Sequence, residues 1–142
     1  MSRYNPGMRL TRAEIAQFLD EPHTLVLATL RRDGWPQMTT VWYRWDGEAF
    51  WISTDRGRAK YHNIERDPRV TALVDAPSRE ASVVAYGRAE VAARAAAANE
   101  GTLQIVARYV DHPRAYLDAR GDGARVLIRI RPEKLVSWKL EG

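Results

Sequence analysis

A short segment in the middle of the chain, STDRGRAKYHN, brings together hydroxyl groups, a glycine and closely spaced cations. Its first residues, Ser53 and Thr54, end a predicted strand, while Arg58 and Lys60 begin a predicted helix. The start of a helix offers free backbone N–H groups and a partial positive charge, and a guanidinium can hold two phosphate oxygens at once. Gly57 lets the backbone approach a ligand closely. The segment therefore predicts a site that binds the phosphate of a cofactor.

The position of the two cations is unusual, because acidic rather than basic side chains are favoured in the first turn of a helix. An anion bound beside Arg58 and Lys60 would offset the unfavourable placement of their charges at the helix start. Two alternatives stay open on the sequence alone. Both side chains can be solvated, or they can form ion pairs with Glu65 and Asp67, which follow closely in the chain.

The residues before this segment predict an antiparallel meander. Runs rich in β-branched and aliphatic residues indicate strands at 24–31, 37–45 and 48–54. The pairs Asp33-Gly34 and Asp46-Gly47 lie between these runs and are typical of tight hairpin turns. Because side chains alternate along a strand, one face of the second strand is expected to carry Gln37, Thr39, Val41 and Tyr43.

The rest of the chain predicts helices on the outside of a larger sheet. Thr11 and Glu14 have the spacing of a capping box, which indicates a helix that Pro22 ends. Gly87 indicates a bulge or a bend within its strand. The other predicted elements are a helix at 58–66, strands at 70–74 and 82–91, a helical region at 92–119 broken near His112-Pro113, a strand at 125–131 and a final segment at 134–140.

Together these elements predict a mainly β fold with six strands and two or three flanking helices. Closing such a sheet into a barrel removes its exposed edges. No internal repeat and no linker interrupts the 142 residues, so we expect a single domain over residues 1–142.

Composition narrows the range of functions. The chain has no cysteine, which excludes disulfides, iron–sulfur clusters and thiolate zinc sites, and the spacing of the three histidines predicts no metal site. A net charge of +4 suits an anionic partner. No aromatic and basic strand motif of the RNA-binding type is present, so nucleic acid is not expected as a partner. No apolar run reaches the roughly 20 residues that cross a bilayer, and a cytoplasmic protein without membrane contact is the expectation.

Three motifs in order resemble a known family. They are VLATL at 26–30, DGxPQ at 33–37 and RAKxxNIxxDPRV at 58–70. In this order and spacing they are similar to the pyridoxamine-phosphate-oxidase-like superfamily of FMN-binding split barrels, and most similar to the branch that uses the deazaflavin coenzyme F420. The resemblance covers roughly residues 10–91, and a barrel strand at 126–130 is in keeping with it.

The resemblance implies a six-stranded antiparallel split β-barrel and a homodimer with two equivalent cofactor sites at the subunit interface. The phosphate would contact Arg58 and Lys60 with help from neighbouring hydroxyls, and the tricyclic ring would lie along the second strand. The cofactor-binding residues implied in this way are Gln37, Thr39, Thr40, Val41, Ser53, Thr54, Arg58, Ala59, Lys60 and Asn63.

The implied activity is that of an oxidoreductase in which reduced coenzyme F420 passes a hydride to an activated double bond of a small organic substrate. An FMN-dependent enzyme of the same fold and a non-catalytic flavin- or deazaflavin-binding protein stay open as alternatives. The sequence identifies no catalytic residue, although Tyr43, Tyr61 and Tyr86 are candidate proton donors. The basic stretch made of Arg125, Arg129, Arg131 and Lys134 is either a solvated strand face or a guide for an anionic cofactor tail.

Overall fold

Seven β-strands form one sheet in the computed structural model, which describes residues 8–121 and 123–139. All neighbouring strands pair antiparallel, in the order β2-β1-β5-β6-β7-β4-β3. The chain is therefore mainly β, as predicted, with seven strands where six were expected. The strands are β1 (Leu25–Leu30), β2 (Pro36–Val41), β3 (Arg44–Trp45), β4 (Phe50–Asp55), β5 (Arg69–Ala76), β6 (Ala81–Arg94) and β7 (Arg125–Lys139).

Four α-helices flank this sheet within the described residues. Short 3-10 turns precede β6 and follow it, at Pro77–Arg79 and Ala95–Ala98. No helix in residues 8–121 and 123–139 has the length and apolar character needed to span a membrane. The helices are α1 (Arg12–Asp20), α2 (Ala59–Arg66), α3 (Asn99–Val106) and α4 (Pro113–Asp118).

The sheet has to curl, because its two edge strands are almost adjacent in the chain. Only Trp42 and Tyr43 separate β2 from β3, which lie at opposite ends of the strand order. Three peptide links reach at most about 11 Å, whereas six strand spacings across a flat sheet amount to about 29 Å. The edges must therefore meet. No hydrogen-bonded ladder joins β2 to β3 in the described sheet, so the result is an open, or split, barrel.

The extra strand comes from a break in the predicted strand at 37–45. At Tyr43 the chain leaves one edge of the sheet for the other: its backbone N–H donates to the Tyr109 hydroxyl at 3.3 Å, and its own hydroxyl donates to the Leu19 carbonyl at 2.9 Å. The predicted single strand is wrong because the Tyr43 backbone bonds to side chains just after α3 instead of to a neighbouring strand: its N–H donates to the Tyr109 hydroxyl, and its carbonyl accepts from the Arg108 guanidinium. The faces of β2 are confirmed, because Gln37, Thr39 and Val41 are half-buried.

The two predicted segments at 125–131 and 134–140 form the single strand β7, although Leu140 lies outside the described residues. Pro132 lies within β7 and pairs with Gly87, next to a shift in register between β6 and β7. A bulge accommodates a proline that has no N–H to give to the ladder, so the strand continues past it. The predicted bulge or bend at Gly87 is confirmed.

The predicted helical region at 92–119 is wrong for its first residues. β6 continues to Arg94, and it pairs Ala93 with Leu127 and Arg94 with Val126 of β7. Alanine's advantage in a helix is less than about 1 kcal/mol per residue, and cross-strand pairing outweighs it. The predicted break is confirmed, because α4 begins at Pro113, the position of a helix where proline fits.

The barrel interior is apolar, and α1 closes one side of it. Val126, Ile128 and Ile130 on β7 are fully buried together with Leu25 of β1, and Leu19 brings α1 into the same cluster. Burial of each such side chain contributes roughly 1.5–3 kcal/mol relative to exposure. This rigid core holds the ends of β2 and β4 and the start of α2 in fixed positions.

The predicted capping box at the start of α1 is confirmed. The Glu14 N–H donates to the Thr11 hydroxyl at 3.1 Å, and the Thr11 N–H donates to the Glu14 carboxylate at 2.9 Å. Lys139 of β7 also donates to this carboxylate, at 2.9 Å. The Thr11 N–H, followed by the Lys139 bond, lowers the pKa of Glu14 to about 2. The carboxylate thus ties α1 to the last strand.

Candidate functional site

A cleft with a volume of about 790 Å³ opens where the barrel is split. Residues from the end of β2 and just after it, from the end of β4 and from the start of α2 line one part of it. Residues from α3, from α4 and the turn after it, and from the start of β7 line the rest. Of the ten residues predicted for the cofactor, seven line this cleft: Thr39, Thr40, Val41, Ser53, Thr54, Arg58 and Lys60.

Two strand edges with unused backbone groups border the cleft. β2 pairs only with β1, so its other edge has no strand partner in the described sheet. β3 is two residues long and covers only Phe50 and Trp51 of β4, which leaves the same edge of β4 open from Ile52 onwards. Open edges present N–H and C=O groups that bind a ligand as readily as another strand.

Arg58 and Lys60 enter the cleft from the start of α2. Arg58 is the exposed residue before the first turn, and Lys60, within that turn, is half-buried. Burial is the main cause that lowers the pKa of Lys60; the Arg58 charge adds to it and Asp55 opposes it. Two neighbouring cations, one of them partly desolvated, favour a bound anion, because an anion relieves both the repulsion and the desolvation of the ammonium.

The ion-pair alternative for these cations is wrong. Glu65 pairs with Arg94 at 2.7 Å, and Asp67 pairs with Arg69 at 2.8 Å. No ion pair between described residues includes Arg58 or Lys60. Glu65 and Asp67 are thus paired with other arginines, and the two cations remain available to an anion in the cleft.

Backbone and hydroxyl donors surround the cation pair. The Arg58 N–H donates to the Asp55 carbonyl at 3.0 Å, and the Tyr61 N–H donates to the Arg58 carbonyl at 3.2 Å. The N–H groups of Ala59 and Lys60 are then the ones open to a ligand at this helix start. The Ala59 side chain itself does not line the cleft.

Hydroxyl groups on β4 complete this end of the cleft. The Thr102 hydroxyl of α3 donates to Ser53 Oγ at 3.0 Å, which leaves the Ser53 hydroxyl hydrogen for another acceptor. Thr54, the next residue along β4, is buried and also lines the cleft. A phosphate beside Arg58 would therefore find neutral donors as well as charged ones.

A buried polar atom without a partner marks the β2 side of the cleft. Thr39 Oγ1 is shielded from solvent and makes no hydrogen bond within the described residues. Buried hydroxyls are nearly always paired, and an unpaired one costs about 1–3 kcal/mol. A polar ligand in the cleft supplies the missing partner, so Thr39 fits a cofactor with hydrogen-bonding groups on its edge.

Two predicted cofactor residues, Gln37 and Asn63, lie outside the cleft. Asn63 is buried, and its amide donates to the Thr29 hydroxyl at 3.0 Å, while Thr29 donates to the Gln37 side chain at 3.3 Å. Arg66 donates to the Asn63 side-chain oxygen at 3.1 Å. This network attaches α2 to β1 and β2, so both residues position the helix that carries the cations.

Sequence reasoning missed the wall that α3 and α4 contribute. Its residues lie about 40 to 60 positions beyond the cation segment. No local motif marks them, because only the packing of α3 against β4 and of α4 against α3 brings them to the cleft. Trp42, between β2 and β3, lines the cleft as well. The lining residues that were not among the predicted cofactor contacts are Trp42, Asp55, Thr102, Ile105, Val106, Tyr116, Leu117, Arg120 and Arg125.

None of the three candidate proton donors from the sequence lines the cleft. Tyr43 is fully buried, and burial raises the pKa of its hydroxyl. Tyr61 packs against the barrel core, and Tyr86 is exposed on the outer face of the sheet. Among the tyrosines in the described part of the chain, Tyr116 of α4 is the one that lines the cleft.

The basic stretch on β7 is largely paired within the chain. Arg125 is buried, where it donates to the Asn99 side chain and to the Gly121 carbonyl. Arg129 and Arg131 both pair with Glu90 on β6. Three of the four cations thus support the structure, which leaves this stretch with little charge to guide an anionic tail.

Comparisons with known proteins agree with this architecture. The conserved hypothetical protein Rv2991 from Mycobacterium tuberculosis is 29% identical with a TM-score of 0.76, over 97% of this chain and 90% of that one. A protein described as an F420 reductase is 27% identical with a TM-score of 0.70, over 93% and 98%. A FAD-binding protein from Mesorhizobium loti shares the fold at 20% identity, with a TM-score of 0.71 over 94% and 96%.

A family model described as pyridoxamine 5'-phosphate oxidase matches residues 11–139. The match begins at the residue that caps α1 and ends with β7, so it spans all seven strands, the open edges and the cation pair. The chain belongs to the pyridoxamine 5'-phosphate oxidase family.

Proposed function

We propose that this protein binds coenzyme F420 in the cleft and transfers a hydride from the reduced coenzyme to an activated double bond of a small organic substrate. The observation that carries this proposal is the cation pair: Arg58 and Lys60 line the cleft without a carboxylate partner among the described ion pairs. The similarity to a protein described as an F420 reductase supports the choice of cofactor. A cytoplasmic location stays a prediction from the sequence.

The cation pair is the place for the phosphate of the cofactor. Arg58 supplies a guanidinium that binds two oxygens, and Lys60 supplies a point charge. The N–H groups at the start of α2 and the hydroxyls of Ser53 and Thr54 add neutral donors. The work of these residues is to bind and orient, since each charge-assisted hydrogen bond contributes roughly 1.5–3 kcal/mol.

The β2 side of the cleft is the place for the ring. Along Thr39, Thr40 and Val41, the backbone groups of alternate residues face the open edge and can pair with the polar edge of a tricyclic ring. Thr39 Oγ1 gains the partner that it lacks. Reduced coenzyme F420 supplies a hydride when it is bound, so the protein needs to hold the two reactants in contact rather than to provide a nucleophile.

The wall formed by α3 and α4 keeps water away from this contact. Ile105, Val106 and Leu117 are buried apolar residues that line the cleft. An apolar wall beside a hydride donor excludes water from the reacting atoms.

A fluorescence titration tests cofactor binding. Trp42 lines the cleft, so addition of coenzyme F420 to the purified protein should quench tryptophan emission with a micromolar Kd. A parallel titration with FMN is the matched comparison, because FMN carries a phosphate and a tricyclic ring but a different ring chemistry. Tighter binding of FMN, or a protein that purifies yellow, would replace the deazaflavin with the FMN alternative.

Turnover separates an enzyme from a binding protein, a distinction that the fold alone does not make. The protein should accelerate oxidation of reduced coenzyme F420 when cyclohexenone or menadione is present as acceptor. Menadione with heat-inactivated protein gives the background rate. Tight binding of the coenzyme with no acceleration for either acceptor would favour the non-catalytic alternative.

We also propose that the protein is a homodimer, with the cofactor sites at the subunit interface. The outer face of the sheet carries apolar side chains where a solvated face would carry polar ones. Val26, Leu73 and Val84 lie in one cross-strand row, and Met38 and Tyr86 in the next are 63% and 49% exposed. An apolar surface that crosses several strands is typical of a face covered by a second copy of the chain.

Charges placed on this outer face should dissociate the dimer. We expect the wild-type protein to sediment at about twice 16.2 kDa, and the double variant Met38→Asp, Tyr86→Asp to sediment as a monomer, because two carboxylates would have to be buried unpaired. Gln104→Asp is the control, since Gln104 is exposed on α3, away from this face. A wild-type protein that sediments as a monomer, or a double variant that stays dimeric, would rule out this interface.

A further inference from the structure

A stack of four side chains runs from the core to the cleft at its α4 side. The rings of Tyr109 and Trp42 are parallel, with centroids 4.8 Å apart and 4° between their planes. Trp42 contacts Tyr116 with centroids 5.6 Å apart, and the Arg120 guanidinium lies 3.5 Å from the centroid of the Tyr116 ring. The stack therefore ends in a cation that lines the cleft.

The inner end of this stack is fixed. The Tyr109 hydroxyl donates to the His23 carbonyl at 2.7 Å, and it accepts the Tyr43 N–H at 3.3 Å. These bonds hold Tyr109 against the loop before β1 and the crossing between β2 and β3. Because each ring rests on the one before it, the guanidinium at the outer end is held in place before any ligand binds.

Within the described residues, most of the hydrogen-bonding capacity of Arg120 is unused. One terminal nitrogen donates to the Tyr116 carbonyl at 2.9 Å, and a guanidinium has five N–H donors. Arg120 takes part in none of the ion pairs found between described residues. The remaining donors form a planar fork that matches a carboxylate.

From this geometry we infer that the α4 side of the cleft is a substrate subsite for planar, conjugated carboxylates. Trp42 and Tyr116 provide flat apolar surface for the conjugated part, and Arg120 binds the carboxylate. The phosphate of the cofactor has its own cations on α2. Arg125 also lines the cleft, but it is buried and donates to the Asn99 side chain and the Gly121 carbonyl. Arg120 is therefore the cation on this side whose donors remain largely unused within the described residues. The inference rests on the proposed function, because it places the hydride acceptor in the cleft that holds the cofactor.

Calorimetry with a matched pair of probes tests the subsite. Naphthoate and naphthamide have the same ring, and only naphthoate is charged. Titrated into the wild-type protein, with and without saturating coenzyme F420, naphthoate should bind at least about tenfold more tightly than naphthamide. Arg120→Gln should abolish this preference, and Arg32→Gln should keep it, because Arg32 is exposed in the turn between β1 and β2.

The coenzyme itself gives the second arm of the test. The same carboxylate chemistry occurs in the glutamate tail of coenzyme F420, so affinity for the coenzyme is measured in Arg120→Gln as well. We expect that affinity to be unchanged.

Equal binding of the two probes to the wild-type protein, or a preference that survives Arg120→Gln, would overturn the subsite. So would a tenfold loss of coenzyme affinity with the naphthoate preference intact, which would assign Arg120 to the tail. If the coenzyme fails to bind while the preference appears and depends on Arg120, the proposed cofactor fails and the carboxylate subsite stands.

Discussion

The double variant Arg58→Ala, Lys60→Ala should lose at least about a hundredfold in affinity for coenzyme F420. Each side chain is expected to make a charge-assisted bond to the phosphate, and two such bonds at the low end of their range amount to about 3 kcal/mol. The low end applies because Arg58 is exposed and solvent weakens its interaction. Fluorescence titration of both proteins under the same buffer and salt measures the ratio of the two Kd values.

A second double variant controls for overall charge. Arg12→Ala, Arg32→Ala also removes two positive charges, and both of these arginines are exposed and outside the cleft. We expect its Kd to stay within about threefold of the wild-type value, since charges beyond roughly 10 Å are screened in ordinary buffer. Equal loss in the two double variants would mean that the cations act through net charge alone. Unchanged affinity in the α2 variant would remove the phosphate site from this position.

The single variants separate the two cations. Arg58→Lys keeps the charge and loses the planar fork, so a loss close to that of Arg58→Ala would indicate binding to two oxygens at once. Lys60→Gln removes a half-buried ammonium that has no carboxylate partner among the described ion pairs. We therefore expect this variant to fold normally while it binds the coenzyme more weakly.

Local signals in the sequence predicted the parts of the fold that local chemistry decides. The Asp-Gly turns and the capping box of Thr11 and Glu14 depend on residues close together in the chain, and Gly87 stands where the backbone of β7 leaves no room for a side chain. The break at Trp42 and Tyr43 has a different origin. It follows from the topology, since the chain has to cross from one edge of a curled sheet to the other, and no local pattern records this crossing.

The residues of the candidate site also fall into two groups: those that a local sequence signal predicts, and those that only the tertiary structure brings together. The cation pair was predictable, because Arg58 and Lys60 contradict the preference for acids at a helix start, and such a contradiction indicates a ligand. Thr102, Tyr116 and Arg120 gave no signal. They reach the cleft because α3 packs against β4 and α4 packs against α3, so nothing in their own neighbourhood in the sequence distinguishes them from ordinary surface residues.

Asn63 belongs to neither group, because a sequence motif marks it and yet it does not line the cleft. The family resemblance implied contact with the cofactor, whereas the structure gives its amide a structural partner in Thr29 and places it outside the cleft. A residue that belongs to a motif can act by positioning the element that carries the binding groups. Asparagine at this position fixes α2 to β1, and the cations at the start of α2 depend on that attachment.

Gly87→Ala should destabilise the protein by about 3 kcal/mol, which corresponds to a fall in Tm of very roughly 10 °C for a chain of this size. An alanine Cβ at this position would lie 2.1 Å from the Arg131 carbonyl oxygen and 2.9 Å from Pro132 Cα. Both atoms are backbone of β7, so relief requires β6 and β7 to move apart, in the longest strand pair of the sheet. Thermal and chemical unfolding of the purified variant measure the effect.

Gly57→Ala provides the matched control for this substitution. An alanine Cβ at Gly57 would meet no atom within 4 Å, and the backbone there does not require glycine. The replacement should change the free energy of unfolding by no more than about 1 kcal/mol. Its main effect is to reduce the conformational freedom of the unfolded chain, which is worth about 0.4–1 kcal/mol. If Gly87→Ala proves as stable as Gly57→Ala, the contact between β6 and β7 at the bulge is looser than the structure indicates, and the barrel tolerates a side chain at the one point where the sheet requires glycine.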